Sequence, residues 1–445
     1  MNTWSALFLL PGDARYETAR TVWNAIVDRR PAVVARPTTA ADVAQALRFG
    51  RERGLEIGVK GGGHSVTGLA VPEGGLLIDL SLLGSVRVDP DRRRAWVGGG
   101  AMLAELDRVS QAFGLATTAG NVSHTGVGGL TLGGGMGWLA RQLGLSCDNV
   151  ESYEVVTADD SVVRASESEN ADLFWGLRGG GGNFGIVTEF VFRLHPVGTR
   201  ALLAEFFHEV DDAPDVIRRW VDLLPSAPRP ATLTAWAGRT RAGRPLASVG
   251  YVWVGDPDEG RRLLPTFREL GPAVDEKIGE MTYLKLQTID DEPARYGLRR
   301  YWKGHYLREL SDGAIQAFLS VARSGDGGLH GNFQSYGGAI GEVGADETAF
   351  SQRDAVVEFV ASTAWTDPAE DETEIAASRR YGAAVEPFAS GVYVNALADE
   401  GNSGVRRAYR TEQLRRLTDL KARYDPDNVF HLNHNIPPAI ESPGQ

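Results

Sequence analysis

Three glycine clusters lie between residues 61 and 185: Gly61-Gly62-Gly63, the seven glycines from Gly126 to Gly137, and Gly179 to Gly182 followed by Gly185. Glycine weakens helix and strand interiors, so such clusters mark places where backbone must turn sharply or approach something closely. Bare N–H groups on a turn make a concavity for an anion. The first cluster follows an apolar strand expected over 55–59 and reads Lys60-Gly61-Gly62-Gly63-His64-Ser65. Lys60 is expected to set a positive charge at the mouth of the turn. The expected guest is a pyrophosphate, with His64 held beside whatever the pyrophosphate carries.

The rest of the composition agrees with a small-molecule enzyme. A chain of 445 residues suggests two or three domains with ample core. Its net charge of −12 argues against nucleic acid as a partner. A single cysteine, Cys147, excludes an internal disulfide and makes a cysteine metal cluster implausible. The N-terminal stretch has no basic region and its apolar run stops at Pro11, so no signal peptide is read. No apolar run is long enough to span a membrane. The expected location is cytoplasmic, without a membrane partner, as a monomer or homodimer.

Thr39-Ala40-Ala41-Asp42 is a capping box opening a helix to about residue 53, with Val43, Ala46, Leu47 and Gly50 as its buried stripe. Strand, helix and strand then form a β-α-β unit over 31–59. Its phosphate-type turn follows the second strand. In a nicotinamide-binding unit it follows the first. Short strands are expected at 76–80, 86–88 and 95–97, a helix at 101–113, and a hairpin from 150–156 and 162–165. After Pro196 glycine thins out. Strands are expected at 202–210, 247–254, 329–336, 356–364 and 391–397, and helices at 216–224, 258–270, 314–322 and 370–385. This alternation reads as one sheet backed by helices. Residues 405–424 read as a single basic helix with a solvated face.

The Lys60–Ser65 stretch resembles the flavin-attachment motif of the FAD-linked oxidases related to berberine bridge enzyme and 6-hydroxynicotine oxidase. There an arginine is common where this chain has Lys60, which keeps the charge and loses the guanidinium fork. The stretch from Gly120 to Trp138 is similar to the second flavin-contacting loop of that family, and Gly182-Asn183-Phe184-Gly185-Ile186-Val187 to its element beside the adenosine pyrophosphate. The tail around Asn433 and Asn435 is similar to its C-terminal signature.

The resemblance implies an α+β chain: a two-part PCMH-type FAD-binding domain (1–197), a substrate domain with a large antiparallel sheet backed by helices (198–398), and a C-terminal segment returning to the FAD domain (399–445). It implies FAD bound through a single 8α-histidyl bond to His64, because Val122 stands where two-bond members carry a cysteine. The implied cofactor contacts are Lys60, Gly61, Gly62, Gly63, His64, Ser65, Gly120, Asn121, Ser123, His124, Thr125, Gly126, Gly128 and Gly129. They continue with Gly133, Gly134, Gly135, Gly137, Trp138, Asp148, Asn149, Gly182, Asn183, Gly185, Ile186, Val187, Asn433 and Asn435. His124 is read as hydrogen-bonding backbone, with a base as the alternative. Thr125, a small side chain, is implied to influence oxygen access.

Flavin oxidation needs a base beside the C–H bond being broken. Alternation on the 391–397 strand would point Tyr393 and Asn395 to one face, and a matching Tyr-x-Asn element in the family supplies a base or substrate contact. A phenol titrates near 10, so Tyr393 needs a cation nearby, with Lys303 or Arg300 as suppliers. Gln334, Tyr336 and Lys303 are the expected substrate contacts. His431 and His434 have no carboxylate or cysteine nearby to complete a metal site. The expected activity is an oxidase that moves a hydride from an alcohol, hemiacetal or amine to FAD, with dioxygen reduced to hydrogen peroxide. The alternatives are a dehydrogenase using another acceptor and a flavin-binding protein without turnover.

Overall fold

The computed structural model describes residues 7–325 and 328–439. The first sheet contains β1 (Phe8–Leu9), β2 (Val33–Ala35), β3 (Ile57–Lys60) and β4 (Leu76–Asp79), in the order β1-β2-β4-β3. β2 and β3 each run parallel to β4. The helix Ala40–Glu52 makes the crossover between β2 and β3, and the capping box forms: Asp42 N–H donates to Thr39 Oγ1, and Thr39 N–H donates to the Asp42 carboxylate. Val43, Ala46 and Leu47 pack on Ile57, Leu76 and Ile78. Every residue of β4 is buried, as the centre of a parallel sheet covered on both faces requires.

The next strands are β5 (Val86–Asp89), β6 (Arg94–Gly98), β7 (Leu115–Ala116), β8 (Val150–Val156), β9 (Val162–Ser166), β10 (Ile186–Arg193) and β11 (His195–Pro196). Five of them form an antiparallel sheet in the order β5-β6-β10-β8-β9, and β7 pairs with β11. The predicted hairpin is present as β8 and β9, and β5 and β6 pair as a second one. The second glycine cluster contains a helical turn, Val127–Leu132, that the sequence did not announce.

The second half builds β12 (Arg200–Glu209), β13 (Ala231–Arg239), β14 (Pro245–Val254), β15 (Asp275–Thr282), β16 (Arg299–Leu307), β17 (His330–Ser335) and β18 (Val357–Trp365). They form one antiparallel sheet in the order β15-β12-β14-β13-β17-β18-β16. The helices Ala213–Leu223, Asp312–Ser324 and Asp371–Val385 cover one face, where Phe333 and Phe359 pack on Trp220, Phe318 and Tyr381 in one core. Side chains alternate across a strand, so Asn332, Gln334 and Glu358 point to the opposite face.

Three expectations are corrected. β13, β15 and β16 are strands where none was expected; β15 and β16 carry no clean alternation signal, and β15 is an edge strand with Glu276, Lys277 and Glu280, charges that discourage further pairing. The helix expected over 258–270 is two short ones, Pro257–Arg261 and Leu264–Arg268, the second opened by Pro265. The basic helix is also two, Gly401–Ala408 and Thr411–Tyr424. Tyr409 and Arg410 are extended between them, and the buried Tyr409 hydroxyl donates to Gly179 O at 2.9 Å. Lys421 then ties the tail down from a fully buried position, bonding Asp425, Asn183 O and Phe430 O. Among the described residues no helix is long and apolar enough to cross a membrane.

Candidate active site

A cavity of about 490 Å³ runs from the first glycine cluster to the uncovered face of the seven-stranded sheet. All three clusters reach it: Gly61, Gly62, Gly63, His64 and Ser65; Gly120, Asn121, Thr125, Gly126, Gly128 and Gly129; Gly182, Asn183, Gly185, Ile186 and Val187. Asn433 and His434 enter from the tail, and Trp302, Asn332, Gln334, Glu358, Tyr393 and Asn395 from the second half.

The glycines earn their places in two ways. Gly62 and Gly126 lie back to back, so a Cβ on either would strike the other's backbone nitrogen. At Gly129 and Gly182 a Cβ would meet no atom within 4 Å and would project into open space. This is a cradle of bare backbone that a side chain would fill, and it suits a flat ring and phosphates. Several buried polar atoms at or beside the cavity have no partner among the described residues: Asn121 Oδ1, Gln334 Nε2, Trp302 Nε1 and Asn433 Oδ1. Orphaned buried polar atoms are costly unless a ligand satisfies them. Cradle and orphans together fit FAD with a substrate beside it.

His64 is the most constrained side chain here. The Trp23 ring stacks on it with centroids 4.4 Å apart and planes 15° apart, and Tyr296 meets its edge at 6.0 Å. His64 Nε2 lies 2.7 Å from His124 Nδ1, and Thr125 Oγ1 lies 3.4 Å from His64 Nδ1. Burial pulls the His64 pKa down to about 3, helped by His124 and by Arg300. The guanidinium of Arg300 sits 4.3 Å over the Trp23 ring. His64 is therefore a neutral imidazole at physiological pH, with a lone pair available for bonding.

Lys60 departs from expectation. It lines the cavity, but its ammonium bonds Ala19 O and lies 3.5 Å from Asp79, so its charge is spent inside the fold. His124 also departs: it bonds His64, and its Nε2 is buried without a partner among the described residues.

The uncovered sheet face supplies a group the sequence reading missed. Glu358 is buried, and its pKa is pushed up to about 7 by burial, opposed by the Tyr336 hydroxyl, which donates to it at 3.1 Å. A carboxyl that titrates near neutrality and lines a cavity is suited to general acid–base work. The signal was available: a lone acid inside the apolar run Val356-Val357-Glu358-Phe359-Val360. Trp23, Trp302 and Asn332 were missed as well, because each comes from a segment with no motif.

Tyr393 and Asn395 do meet, though not on a strand. After one bridge between Tyr306 and Gly391 the chain makes a helical turn, Val394–Ala396, and Asn395 Nδ2 donates to Tyr393 Oη at 2.8 Å. Gly135 N–H donates to the same oxygen at 2.8 Å. Neither expected cation is paired with it: Lys303 is held by Asp399 and Glu400, and Arg300 bonds Pro293 O and Arg295 O. Burial, with Glu358 nearby, raises the Tyr393 pKa when a base needs it lowered.

Other expected contacts sit elsewhere. Asp148 pairs with Arg353 at 2.6 Å and caps Leu145, Asn149 bonds Leu143 O, Leu145 O and His195, and Ser123 bonds Asp291. Trp138 packs in a core with Leu139 and Tyr283. Gly133, Gly134, Gly135, Gly137 and Asn435 are not among the lining residues, and Lys303 and Tyr336 stand behind them. Gly133, Gly134 and Gly135 instead face Asn395, Phe350 and Ser146. They pack the second cluster against the rest of the protein.

Known proteins are similar to this chain in sequence and in fold. Residues 31–166 match the family model of the FAD binding domain, and residues 392–437 match that of berberine and berberine-like proteins. The chain is 30% identical to (R)-6-hydroxynicotine oxidase of Paenarthrobacter nicotinovorans, over 97% of this chain and 96% of that one. The chain belongs to the berberine bridge enzyme and 6-hydroxynicotine oxidase type of FAD-linked oxidoreductases. Solved structures of this family superpose along its whole length. For 6-hydroxy-D-nicotine oxidase of Arthrobacter nicotinovorans the TM-score is 0.87 at 26% identity, covering 97% and 98% of the two chains. For the glucooligosaccharide oxidase of Acremonium strictum, described with a 6-S-cysteinyl, 8α-N1-histidyl FAD, it is 0.88 at 25% identity, covering 98% of each. The protein is an FAD-binding enzyme with the family's PCMH-type α+β fold.

Proposed function

We propose that this enzyme is an oxidase holding FAD by one 8α-histidyl bond to His64 and oxidising an alcohol, hemiacetal or amine carbon of a small molecule. The observation that carries this reading is one cavity with a bare-backbone cradle and a neutral His64 on one side and Glu358 on the other. Bound there, FAD supplies a two-electron acceptor for the substrate's hydride and passes the electrons to dioxygen, giving hydrogen peroxide.

The chain's own groups do the rest. Glu358 takes the proton from the substrate O–H or N–H as the adjacent C–H bond breaks. Tyr336 holds that carboxyl, and Tyr306, 2.8 Å from Tyr336 hydroxyl to hydroxyl, continues the chain of donors. Gln334 Nε2 and Trp302 Nε1 donate to substrate oxygens and orient the carbon. Tyr393, itself held by Gly135 and Asn395, closes the wall beside them. Asn433, whose side chain lines the cavity, would help hold the flavin. Thr125 is small enough to leave room for dioxygen. The reading divides the chain into an FAD-binding part to residue 197, a substrate part to 398, and a returning tail.

A visible spectrum before and after acid precipitation tests the attachment. Yellow colour in the pellet of wild-type protein, lost in His64→Ala, is expected; yellow supernatant from wild type removes the bond. An anaerobic screen for substrates that bleach the flavin, followed by admitting air, tests the oxidase assignment. Recoloration with peroxide release is expected. A bleached enzyme that stays reduced in air is a dehydrogenase.

A further inference from the structure

His124 is the polar group at this site to which no task has been given. Its Nδ1 lies 2.7 Å from His64 Nε2, and its own Nε2 is buried with no partner among the described residues. Two ring nitrogens at that distance share one proton, one as donor and one as acceptor. When His64 Nε2–H donates, His64 Nδ1 carries the free lone pair, and His124 accepts at Nδ1 with its proton on Nε2. The rings are held for this exchange. Trp23 stacks on His64, while Tyr296 packs on both imidazoles, 6.0 Å from His64 and 5.3 Å from His124.

Bond formation at Nδ1 creates a problem that this pair solves. Alkylating one nitrogen of a neutral imidazole leaves a cation if the other nitrogen keeps its proton. The His64 site disfavours that cation, being buried with the Arg300 guanidinium close by over Trp23. The proton must therefore leave as the bond forms, and His124 Nδ1 is the acceptor within hydrogen-bond reach.

We propose that His124 is the base for covalent flavin attachment, taking the Nε2 proton of His64 as His64 Nδ1 bonds to the 8α carbon of FAD. The inference rests on the proposed reading that His64 carries the flavin. In the step, the 8-methyl carbon loses one proton, the Nδ1 lone pair forms the C–N bond, and the flavin ring gains two electrons. The Nε2 proton passes to His124. Dioxygen then removes the two electrons and, with the two released protons, becomes hydrogen peroxide, leaving oxidised histidyl-FAD.

The test uses full-length apoprotein from riboflavin-starved cells, mixed with FAD, with acid-stable flavin in the pellet followed over time. His124→Gln and His124→Ala are expected to bind FAD non-covalently much as wild type does, by flavin fluorescence, while attachment slows at least about tenfold. Added imidazole is expected to restore the His124→Ala rate in proportion to its concentration. Attachment by His124→Ala within twofold of wild type overturns the inference and leaves the His64 bond standing. Slowing that imidazole does not relieve also overturns it and makes His124 a packing residue. Wild-type protein with no acid-stable flavin overturns both readings.

Discussion

The two walls of the cavity are made of different material. The cradle is main chain: its glycines present bare backbone, and neighbours as close as Gly62 and Gly126 exclude any side chain. The opposite wall is side chain: Trp302 from β16, Asn332 and Gln334 from β17, and Glu358 from β18. A backbone wall depends on loops a few residues long. A side-chain wall depends on register, since Gln334 is opposite Glu358 only because β17 and β18 pair as they do. The backbone wall can thus be kept while the facing residues vary, and in the proposed reading substrate choice belongs to the second wall.

The largest expected effect breaks the chemistry of the side-chain wall alone. Glu358→Gln should lower kcat/KM by about 10²- to 10⁴-fold with flavin content unchanged. A loss below tenfold in steady-state assays returns the base role to Tyr393. Next, Gly182→Val should break the other wall: a side chain filling the cradle should cost about 1–3 kcal/mol of FAD affinity, roughly 5- to 150-fold. Measured in the His64→Ala background, where no covalent bond retains the flavin, intact flavin content after gel filtration argues against FAD lying there.

Two pH measurements sharpen the contrast. Because Glu358 titrates at about 7 and must be ionised to act, kcat/KM should fall about tenfold per pH unit below 7. The Glu358→Gln residual activity should lack that limb. Stability runs the other way. A folded-state pKa raised from 4.5 to about 7 gives stability that is full below 4.5 and lost as pH rises through 7. Urea midpoints should show Glu358→Gln gaining on wild type between pH 5 and 8, by at most about 3 kcal/mol. The smallest effect is expected at Lys303, whose ammonium pairs with Asp399 and Glu400. Lys303→Met should leave kcat and KM within about twofold and lower stability by roughly 1 kcal/mol. A larger kinetic effect would place it in the substrate wall after all.

The cradle was legible because its requirements are local. Three glycine clusters, a histidine and an asparagine-bearing tail each announce close backbone approach within a few residues, and all reach the cavity. The errors around it have a common origin. Trp138, Asp148 and Asn149 adjoin the motifs in sequence, but the loops turn them into the core and into the Arg353 and His195 contacts. The side-chain wall was only half legible. Gln334 came from strand alternation, whereas Glu358 lies in an apolar run that reads as buried strand and Trp302 in β16, which carries no clean alternation.

By itself, then, the sequence determined the cofactor class, the α+β plan and the histidine that the first glycine turn brings to the cavity, because glycine spacing and strand periodicity act over a handful of residues. Only the tertiary structure decided the charges. Lys60 is neutralised by Asp79, a contact between neighbouring strands, and Glu358, on the cavity side of β18, is raised to about 7 by burial. His64 meets His124 across 60 residues. Ionisation depends on desolvation and on neighbours, and both are set by folding, not by the residues on either side.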